Sequence, residues 1–186
     1  NSGGNSIIPD KVTIRQLFTQ YLDLNGIPPS GIYQTFYNSV MNDNLENCEE
    51  GKKLIEPLLD EKSEERRKFQ LENNVSEAII EFSKFAKPPL DALVSSLNTI
   101  KPRLYSVSST PEESPDKAEL LVNEVLFKSG SKQRYGLCTR FLTKPDLSKV
   151  AINFKRGKFK YPKDITTDVV FIGLGSGLAP VMPLIQ

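Results

Sequence analysis

The spacing of apolar residues changes once along this chain, close to Pro102. Before Pro102, apolar side chains recur at the spacing of one face of a helix. After Pro102, they gather in short runs separated by Pro, Gly, Ser and Asp, as in strands joined by turns. A chain of 186 residues is long enough for one domain or two small ones. We therefore expect an α+β protein whose helices come first and whose β domain follows.

The first half of the chain carries the boundary signals of several helices. Asp10 or Thr13 can cap the first helix, and Ser76 can cap a later one. The Pro88-Pro89 pair ends that later helix, and residues 43–74 mix Glu and Lys at helical spacing. The apolar positions of these helices are interpreted as scaffold and not as a site: Ile14, Leu17, Phe18, Tyr21, Leu22, Ile32, Tyr33, Phe36, Tyr37, Val40, Leu54, Ile55, Leu58, Leu59, Ile79, Ile80, Phe82, Leu90, Leu93, Val94 and Leu97. Core packing is the favoured interpretation for those of the second helix, 32–40.

Short apolar runs predict strands at 104–107, 119–127, 150–154 and 169–172. The last run is fully apolar and leads directly into Gly173-Leu174-Gly175-Ser176-Gly177. Glycines in such a turn let backbone N–H groups approach a phosphate or a flat ring. This segment lacks the complete spacing of the dinucleotide fingerprint, so an ordinary strand-turn-helix connection explains it equally well.

Several classes of protein are excluded by composition. Histidine is absent, and Cys48 and Cys138 are the only cysteines. These counts exclude a Ser-His-Asp triad, a zinc site with its usual ligands and a disulfide framework. The uncharged, largely apolar run 169–186 is interrupted by Gly and Pro, so we expect no membrane anchor.

Basic residues are concentrated in one segment of a chain whose formal net charge is only +1. Residues 128–163 contain eleven Lys and Arg and a single acid, Asp146. Such an excess favours an anionic ligand, although a solvated strand-and-turn surface explains it equally well. A nucleic-acid-binding module is the alternative function, because five aromatic residues that could stack on bases are interleaved with the charges: Tyr135, Phe141, Phe154, Phe159 and Tyr161.

Two segments upstream of the glycines also carry groups that can bind a phosphate or stack on a ring. Arg103 and Tyr105 fall on one face of a predicted strand by its period of two, offering a guanidinium for phosphate and a ring for stacking. In Gly136-Leu137-Cys138-Thr139, the glycine lets backbone approach an anion, and Thr139 can add a hydroxyl at a helix start. Each segment alone is explained by a turn beside a strand edge. The ordered set of three is more specific than any of its members.

These three motifs, in this order, resemble the flavin and nicotinamide motifs of the ferredoxin-NADP reductase superfamily. The matching residues are Arg103-Leu104-Tyr105-Ser106, Gly136-Leu137-Cys138-Thr139 and Gly173-Leu174-Gly175-Ser176-Gly177-Leu178-Ala179-Pro180. The helical region before the first motif narrows the resemblance to the diflavin reductases. Residues 134–140 and 173–175 are most similar to the sulfite reductase flavoprotein and to the reductase module of pyruvate:NADP oxidoreductase. The resemblance begins near Val12 and covers nearly the whole chain.

The resemblance implies three domains and a redox function. It implies an all-α connecting domain at 1–98, an antiparallel flavin-binding β-barrel at 99–165 and the first strand of a doubly wound NADP-binding domain at 166–186. Such a module passes a hydride from NADPH to FAD, and then electrons to FMN in another domain and to a downstream acceptor. We expect a piece of a longer cytoplasmic protein, inactive alone, without nucleic-acid or membrane partners. A domain that has lost its flavin is a further alternative.

The resemblance also implies a role for each residue of the first motif. Arg103 pairs with the FAD pyrophosphate, and Tyr105 stacks on the isoalloxazine ring. Ser106 hydrogen-bonds near N5 of the flavin and is the catalytic candidate. Leu104 belongs to the same cofactor-binding segment.

The other candidate residues bind cofactor through backbone or hydroxyl groups, again by resemblance. Gly136-Leu137-Cys138-Thr139 holds the pyrophosphate through backbone N–H groups and the Thr139 hydroxyl. The strand Leu121-Val122-Asn123 lines the flavin. Gly175 and Ser176 lie next to the nicotinamide, and Ser176 stands where the family usually has threonine. No metal site is implied.

Overall fold

The computed structural model describes residues 8–42, 48–157, 162, 164 and 166–185. These residues form α-helices, short 3₁₀ and π segments, and a two-stranded β-sheet. The predicted α+β class is therefore confirmed. Within the described residues, no helix combines the length and the apolar character needed to cross a membrane.

The chain divides into two units. Unit 1 comprises residues 1–101 together with 128–132, and unit 2 comprises 102–127 together with 133–186. Unit 1 contains the helices of the first half of the chain. All three sequence motifs lie in unit 2.

Unit 1 contains six α-helices within its described residues. They are α1 (Ile14–Gln16), which continues as a π segment (Leu17–Tyr21), α2 (Ser30–Asn42), α3 (Cys48–Ile55), followed by a 3₁₀ turn (Glu56–Leu58), α4 (Glu64–Glu72), α5 (Val75–Phe82) and α6 (Leu90–Ser95). Thr13 caps α1, because its hydroxyl accepts from the Gln16 N–H at 3.2 Å while the Gln16 side chain accepts from the Thr13 N–H at 3.0 Å. Thr13, and not Asp10, is thus the cap.

The cap of α5 is Asn74, so the prediction of Ser76 is wrong. Asn74 Oδ1 accepts from the Glu77 N–H at 2.9 Å, and Glu77 Oε2 accepts from the Asn74 N–H at 2.8 Å. This reciprocal pair satisfies two N–H groups that the helix leaves unbonded. Ser76 lies in the first turn and donates its hydroxyl to Asn74 Oδ1 at 2.8 Å. Asn and Ser favour caps equally, so the spacing alone does not choose between them.

The core of unit 1 is built mainly from α2, α3 and α5. Aromatic rings meet at its centre: Phe69 and Phe82 stack with their centroids 5.3 Å apart, and Tyr33 meets Phe82 edge-on at 6.0 Å. The prediction that the aromatics of this region are core residues is confirmed for Tyr33 and Phe36, which are fully buried. The buried apolar residues are Leu22, Ile32, Tyr33, Phe36, Val40, Ile55, Leu58, Val75, Ala78, Phe82, Ala86 and Leu97.

A buried guanidinium crosses the polar edge of this core. Arg66 is 6% exposed and lies over the Tyr33 ring, with Cζ 4.9 Å from its centroid. It donates to the Ser30 hydroxyl at 2.7 Å and to the Leu58 carbonyl at 3.4 Å. These partners offset the cost of removing the charge from water.

Regular structure in unit 2 is sparse. A β-hairpin formed by β1 (Leu126–Ser129) and β2 (Lys132–Tyr135) has its turn in unit 1. The hairpin is followed by α7 (Leu137–Leu142), a 3₁₀ turn (Gly175–Leu178) and α8 (Met182–Ile185).

The predicted strands are only partly present. Residues 119–127 contribute the start of β1, and Val107 forms an isolated antiparallel bridge with Leu120. Residues 150–154 and 169–172 are not strands, because the described residues supply no neighbouring strand to hydrogen-bond with them. The barrel therefore stays a prediction.

Candidate functional site

The first motif, residues 103–106, lies directly before the bridge between Val107 and Leu120. Two further hydrogen bonds hold this crossing: Ser108 N–H donates to the Glu119 carbonyl at 2.8 Å, and Glu119 N–H donates to the Ser109 hydroxyl at 3.0 Å. The end of the motif is thus fixed by a neighbouring segment. Of the predicted strand, only Val107 pairs in this way.

Tyr105 of the first motif and Cys138 of the second lie together. Burial and a hydrogen-bonding contact with the Cys138 thiol raise the pKa of Tyr105 to about 12, and the Arg103 guanidinium opposes that rise. The phenol therefore stays neutral at physiological pH. The structure thus brings together two motifs that are far apart in the sequence.

The second motif is closed by its own contacts. Gly136 N–H donates to the Val125 carbonyl at 2.8 Å, and Val125 N–H donates to Thr139 Oγ1 at 3.1 Å. A Cβ at position 136 would lie 2.7 Å from Thr139 Oγ1 and 3.0 Å from Val125 Cβ. Any side chain there would force one of these neighbours to move. Gly136 is thus required by packing as well as by any anion that approaches the loop.

The two motifs together present hydrogen-bond donors suited to an anion with several oxygens. Arg103 is exposed, and the Leu137 and Cys138 N–H groups lie in the first turn of α7, where no acceptor exists within the helix. The Thr139 hydroxyl, which donates to the Gly136 carbonyl at 3.2 Å, can turn toward such an anion. This donor set fits the pyrophosphate of FAD.

Residues 121–123 offer backbone groups to a ligand. Leu121 and Asn123 are exposed, and Val122 is half-buried. Leu121 directly follows Leu120, which forms the bridge with Val107 next to the first motif. The contact of this segment with flavin stays a prediction.

The third motif forms a tight turn. Gly175 has φ 53°, a left-handed conformation that favours glycine, and a Cβ at Gly175 or Gly177 would meet open space. Leu174 and Ser176 are exposed. Among the described residues, no hydrogen bond joins Gly175 or Ser176 to the other two motifs. Their role at the nicotinamide stays a prediction.

Arg140 is a residue whose contacts sequence reasoning missed. Its Nη1 lies 2.8 Å from Glu124 Oε1, and its guanidinium stacks over the Tyr135 ring with Cζ 4.4 Å from the centroid. The hydrogen bond that Arg140 donates to Glu124 raises the pKa of Arg140. No local spacing predicts this pair, since 16 positions separate the two residues.

The basic segment carries less free charge than the sequence suggests. Arg140 pairs with Glu124, and Lys132 Nζ lies 3.0 Å from Glu77 Oε1. The aromatic residues Phe159 and Tyr161, and the basic residues Lys158, Lys160 and Lys163, lie outside the described residues. The described part therefore gives the nucleic-acid alternative little support.

Comparison with known proteins gives one family and several relatives. Residues 4–141 match the family model described as FAD binding domain. The chain is 29% identical over 189 residues to NADPH-dependent diflavin oxidoreductase 1 of Debaryomyces hansenii, an alignment that covers 98% of this chain and 31% of that protein.

Two further relatives match most of the chain. The sulfite reductase [NADPH] flavoprotein component of Saccharomyces cerevisiae is 28% identical, with 94% of this chain and 17% of that protein covered. The pyruvate dehydrogenase [NADP(+)] of Cryptosporidium parvum is 29% identical, with 100% of this chain and 10% of that protein covered. The chain therefore spans less than a third of the length of each of these three relatives.

Proposed function

Because this chain belongs to the FAD binding domain family, we propose that it is the FAD-binding module of an NADPH-dependent diflavin oxidoreductase. Residues 1–98 are then the helical connecting domain, 99–165 the flavin-binding β-barrel and 166–186 the start of the NADP-binding domain. The observation that carries the proposal is the match of residues 4–141, which include the first and second motifs, to the FAD binding domain model. A single FAD that touches both motifs requires these two segments to be neighbours, and the contact between Tyr105 and Cys138 supports this.

Bound FAD supplies the redox chemistry, since flavin accepts a hydride and can release electrons singly. The residues of this chain bind and orient it. Arg103 would pair with the pyrophosphate, and the Leu137 and Cys138 N–H groups with the Thr139 hydroxyl would complete the grip. The Cys138 thiol would hold the Tyr105 phenol, so that the ring keeps one orientation for stacking.

Ser106 is the proposed catalytic residue. It follows Tyr105 directly and is exposed, so a hydroxyl at this position can reach a ring that Tyr105 stacks on. Its role would be to hydrogen-bond the flavin near N5, where hydride arrives. The segment Leu121-Val122-Asn123 would line the flavin, and Gly175 with Ser176 would face the nicotinamide.

The proposed partners are an FMN-binding flavodoxin-like domain and a downstream electron acceptor. The names of the diflavin oxidoreductase and of the sulfite reductase flavoprotein support this type of electron transfer. We place the protein in the cytoplasm, because Cys48 and Cys138 form no disulfide and disulfides are rare in reducing compartments.

A flavin titration tests the proposal. The purified chain is titrated with FAD and, in parallel, with riboflavin, which lacks the pyrophosphate and the adenylate. FAD should bind at least about tenfold more tightly, since each charge-assisted hydrogen bond to the pyrophosphate contributes about 1.5–3 kcal/mol. A folded chain that takes up no FAD would contradict the proposal and indicate a domain that has lost its flavin. Salt-dependent binding of an oligonucleotide without FAD uptake would favour the nucleic-acid alternative.

A further inference from the structure

The end of α4 clasps the turn of the β-hairpin. Ser131 N–H donates to Glu72 Oε1 at 2.9 Å, and the Ser131 hydroxyl donates to Glu72 Oε2 at 2.7 Å. The Ser129 hydroxyl donates to the Leu71 carbonyl at 2.8 Å. We call these three hydrogen bonds the Glu72 clasp.

The turn residue Gly130 lets the clasp form. It has φ 59°, and a Cβ at this position would overlap the Glu72 carboxylate. Lys132, the first residue of β2, adds a further contact, since its Nζ lies 3.0 Å from Glu77 Oε1. The other carboxylate oxygen of Glu77, Oε2, completes the cap of α5. Carboxylates from two helices therefore hold the tip of the hairpin.

Glu72 is poorly placed for the stability of its own helix. It is the last residue of α4, and a negative charge at a helix C-terminus is repelled by the carbonyl dipoles gathered there. The Glu72 carboxylate instead accepts two hydrogen bonds from Ser131. We therefore expect Glu72 to stabilise the hairpin and not α4.

The far end of the hairpin carries the second motif. Val125 precedes β1, and Gly136 follows β2; these residues are joined by the Gly136 N–H to Val125 carbonyl bond of 2.8 Å. Val125 N–H also donates to Thr139 Oγ1 at 3.1 Å. A slip of one residue between β1 and β2 would break both bonds, because it changes which backbone groups face each other. The register of the hairpin thus sets the shape of the loop 136–139.

We propose that Glu72 is a positioning residue for the loop 136–139, a role that rests on the proposed function because this loop is the expected pyrophosphate site. Glu72 does not touch the cofactor. It holds the turn Ser129–Ser131, the turn fixes the register of β1 and β2, and that register places the donors of Leu137, Cys138 and Thr139.

Three variants of the chain separate this role from a general effect on folding. Glu72→Ala removes the two carboxylate acceptors of the clasp and leaves the Leu71 carbonyl. Glu72→Gln keeps an oxygen for the Ser131 N–H and can donate its amide to the Ser131 hydroxyl. Glu65→Ala is the matched control, since Glu65 is exposed on the same helix and makes no hydrogen bond or ion pair with the described residues.

The first measurement is the Kd for FAD. We expect Glu72→Ala to weaken FAD about threefold to tenfold, as for the loss of one or two ordinary hydrogen bonds that act indirectly. Glu72→Gln should stay within about twofold of wild type, and Glu65→Ala should match wild type. Unchanged affinity in Glu72→Ala, or equal losses in Glu72→Ala and Glu65→Ala, would overturn the proposal. If Glu72→Ala loses helix content, Ser131→Ala replaces it: this variant removes the hydroxyl bond to Glu72 Oε2 and keeps the backbone N–H bond, so it should weaken FAD by the lower end of the range.

The second measurement is hydrogen exchange in the absence of FAD. Glu72→Ala should exchange faster at 129–132 and also at 136–139, whereas faster exchange confined to 129–132 would show that the clasp does not position the loop. This readout is independent of cofactor. If wild type binds no FAD, the proposed function fails, and the exchange at 136–139 alone decides whether Glu72 positions the loop.

Discussion

Unit 1 and unit 2 differ in how they hold their shape. In unit 1, the rings of Tyr33, Phe36 and Phe82 are completely buried against one another. In unit 2, Leu104 is 82% exposed and Ile172 is 92% exposed. Burial of apolar surface is the main source of folding stability. Unit 1 is therefore stabilised by its own core, whereas unit 2 depends on local polar contacts.

This difference indicates where a ligand matters for stability. The polar contacts of unit 2 include the bridge at Val107, the Tyr105–Cys138 contact and the closed loop 136–139. Each of these three lies within or directly beside a segment that is proposed to touch FAD. A ligand that binds only the folded state stabilises it by mass action. We therefore expect FAD to stabilise unit 2 and to leave unit 1 nearly unchanged.

The largest effect should come from the core of unit 1. Phe82→Ala removes a ring that contacts Tyr33, Phe36 and Phe69, and the free energy of unfolding should fall by about 3–5 kcal/mol. Urea unfolding followed by far-ultraviolet circular dichroism measures this change. Ile80→Ala on the same helix is the control, because Ile80 is 66% exposed. Similar losses in the two variants would break the contrast between the units.

The next largest effect should be confined to the affinity for FAD. Arg103→Ala should weaken FAD about tenfold to a hundredfold, since a charge-assisted bond contributes roughly 1.5–3 kcal/mol, and the unfolding of unit 1 should not change. Equilibrium titration with FAD measures the loss. Arg156→Ala, which removes an exposed guanidinium elsewhere in unit 2, should have little effect. Equal weakening of FAD binding in both variants would show that Arg103 contributes only its positive charge and not a specific bond to the pyrophosphate.

The aromatic ring of Tyr105 should contribute by stacking. Tyr105→Ala should lose on the order of 1–3 kcal/mol of FAD binding, the scale of base-aromatic contacts, whereas Tyr105→Phe keeps the ring plane and should bind nearly as well. Flavin fluorescence gives a second readout, because a stacked ring quenches it. Bound flavin should be dim in wild type and Tyr105→Phe and brighter in Tyr105→Ala. Unchanged affinity and quenching in Tyr105→Ala would make the ring a packing residue.

Ser106 should affect reduction more than binding. In the full-length protein, Ser106→Ala should slow the reduction of FAD by NADPH while its FAD affinity stays within a few-fold of wild type, because the lost contact is made mainly as hydride moves. Stopped-flow absorbance measures the rate of FAD reduction, and titration measures the Kd for FAD. Equal losses in rate and affinity would assign the hydroxyl a structural role only.

The smallest effect should appear at high pH. The pKa of Tyr105 is raised from 10.0 to about 12, so the neutral phenol is favoured by folding. Its contribution to stability is therefore fully present below about pH 10 and is lost as pH rises through the folded-state value. The ultraviolet titration of wild type minus that of Tyr105→Phe should show one phenol that ionises near pH 12. A midpoint close to 10 would contradict the burial of the Tyr105 phenol and its contact with Cys138.

Sequence pattern predicts the contacts that are local in the chain. The helical period identifies the core of α2, because one face of a helix recurs at a fixed spacing. In α5 it identifies Phe82 but misses the buried Val75 and Ala78, and Ile80 is 66% exposed. The cap at Thr13 follows from its chemistry and position. In contrast, β2 (Lys132–Tyr135) escapes prediction, because charged Lys132 and Arg134 replace the apolar residues that usually mark a strand.

Contacts between distant parts of the chain could not be predicted. Glu72 and Ser131 are 59 positions apart, and neither residue belongs to a motif. Glu124 and Arg140 look like free charges until the fold brings them to 2.8 Å. The motif residues were found because their chemistry is shared with a family, and their neighbours were not, because packing decides which side chains meet.

Hydrogen exchange of the chain with and without FAD tests the contrast between the units most directly. We expect bound FAD to slow the exchange of backbone amides in the segments 103–107, 121–125 and 133–142 of unit 2. Exchange in α2 and α5 of unit 1 should stay the same, because their protection comes from a core that FAD does not touch. Contradiction would come from FAD that binds without slowing exchange in these unit 2 segments, or from protection that rises equally in both units.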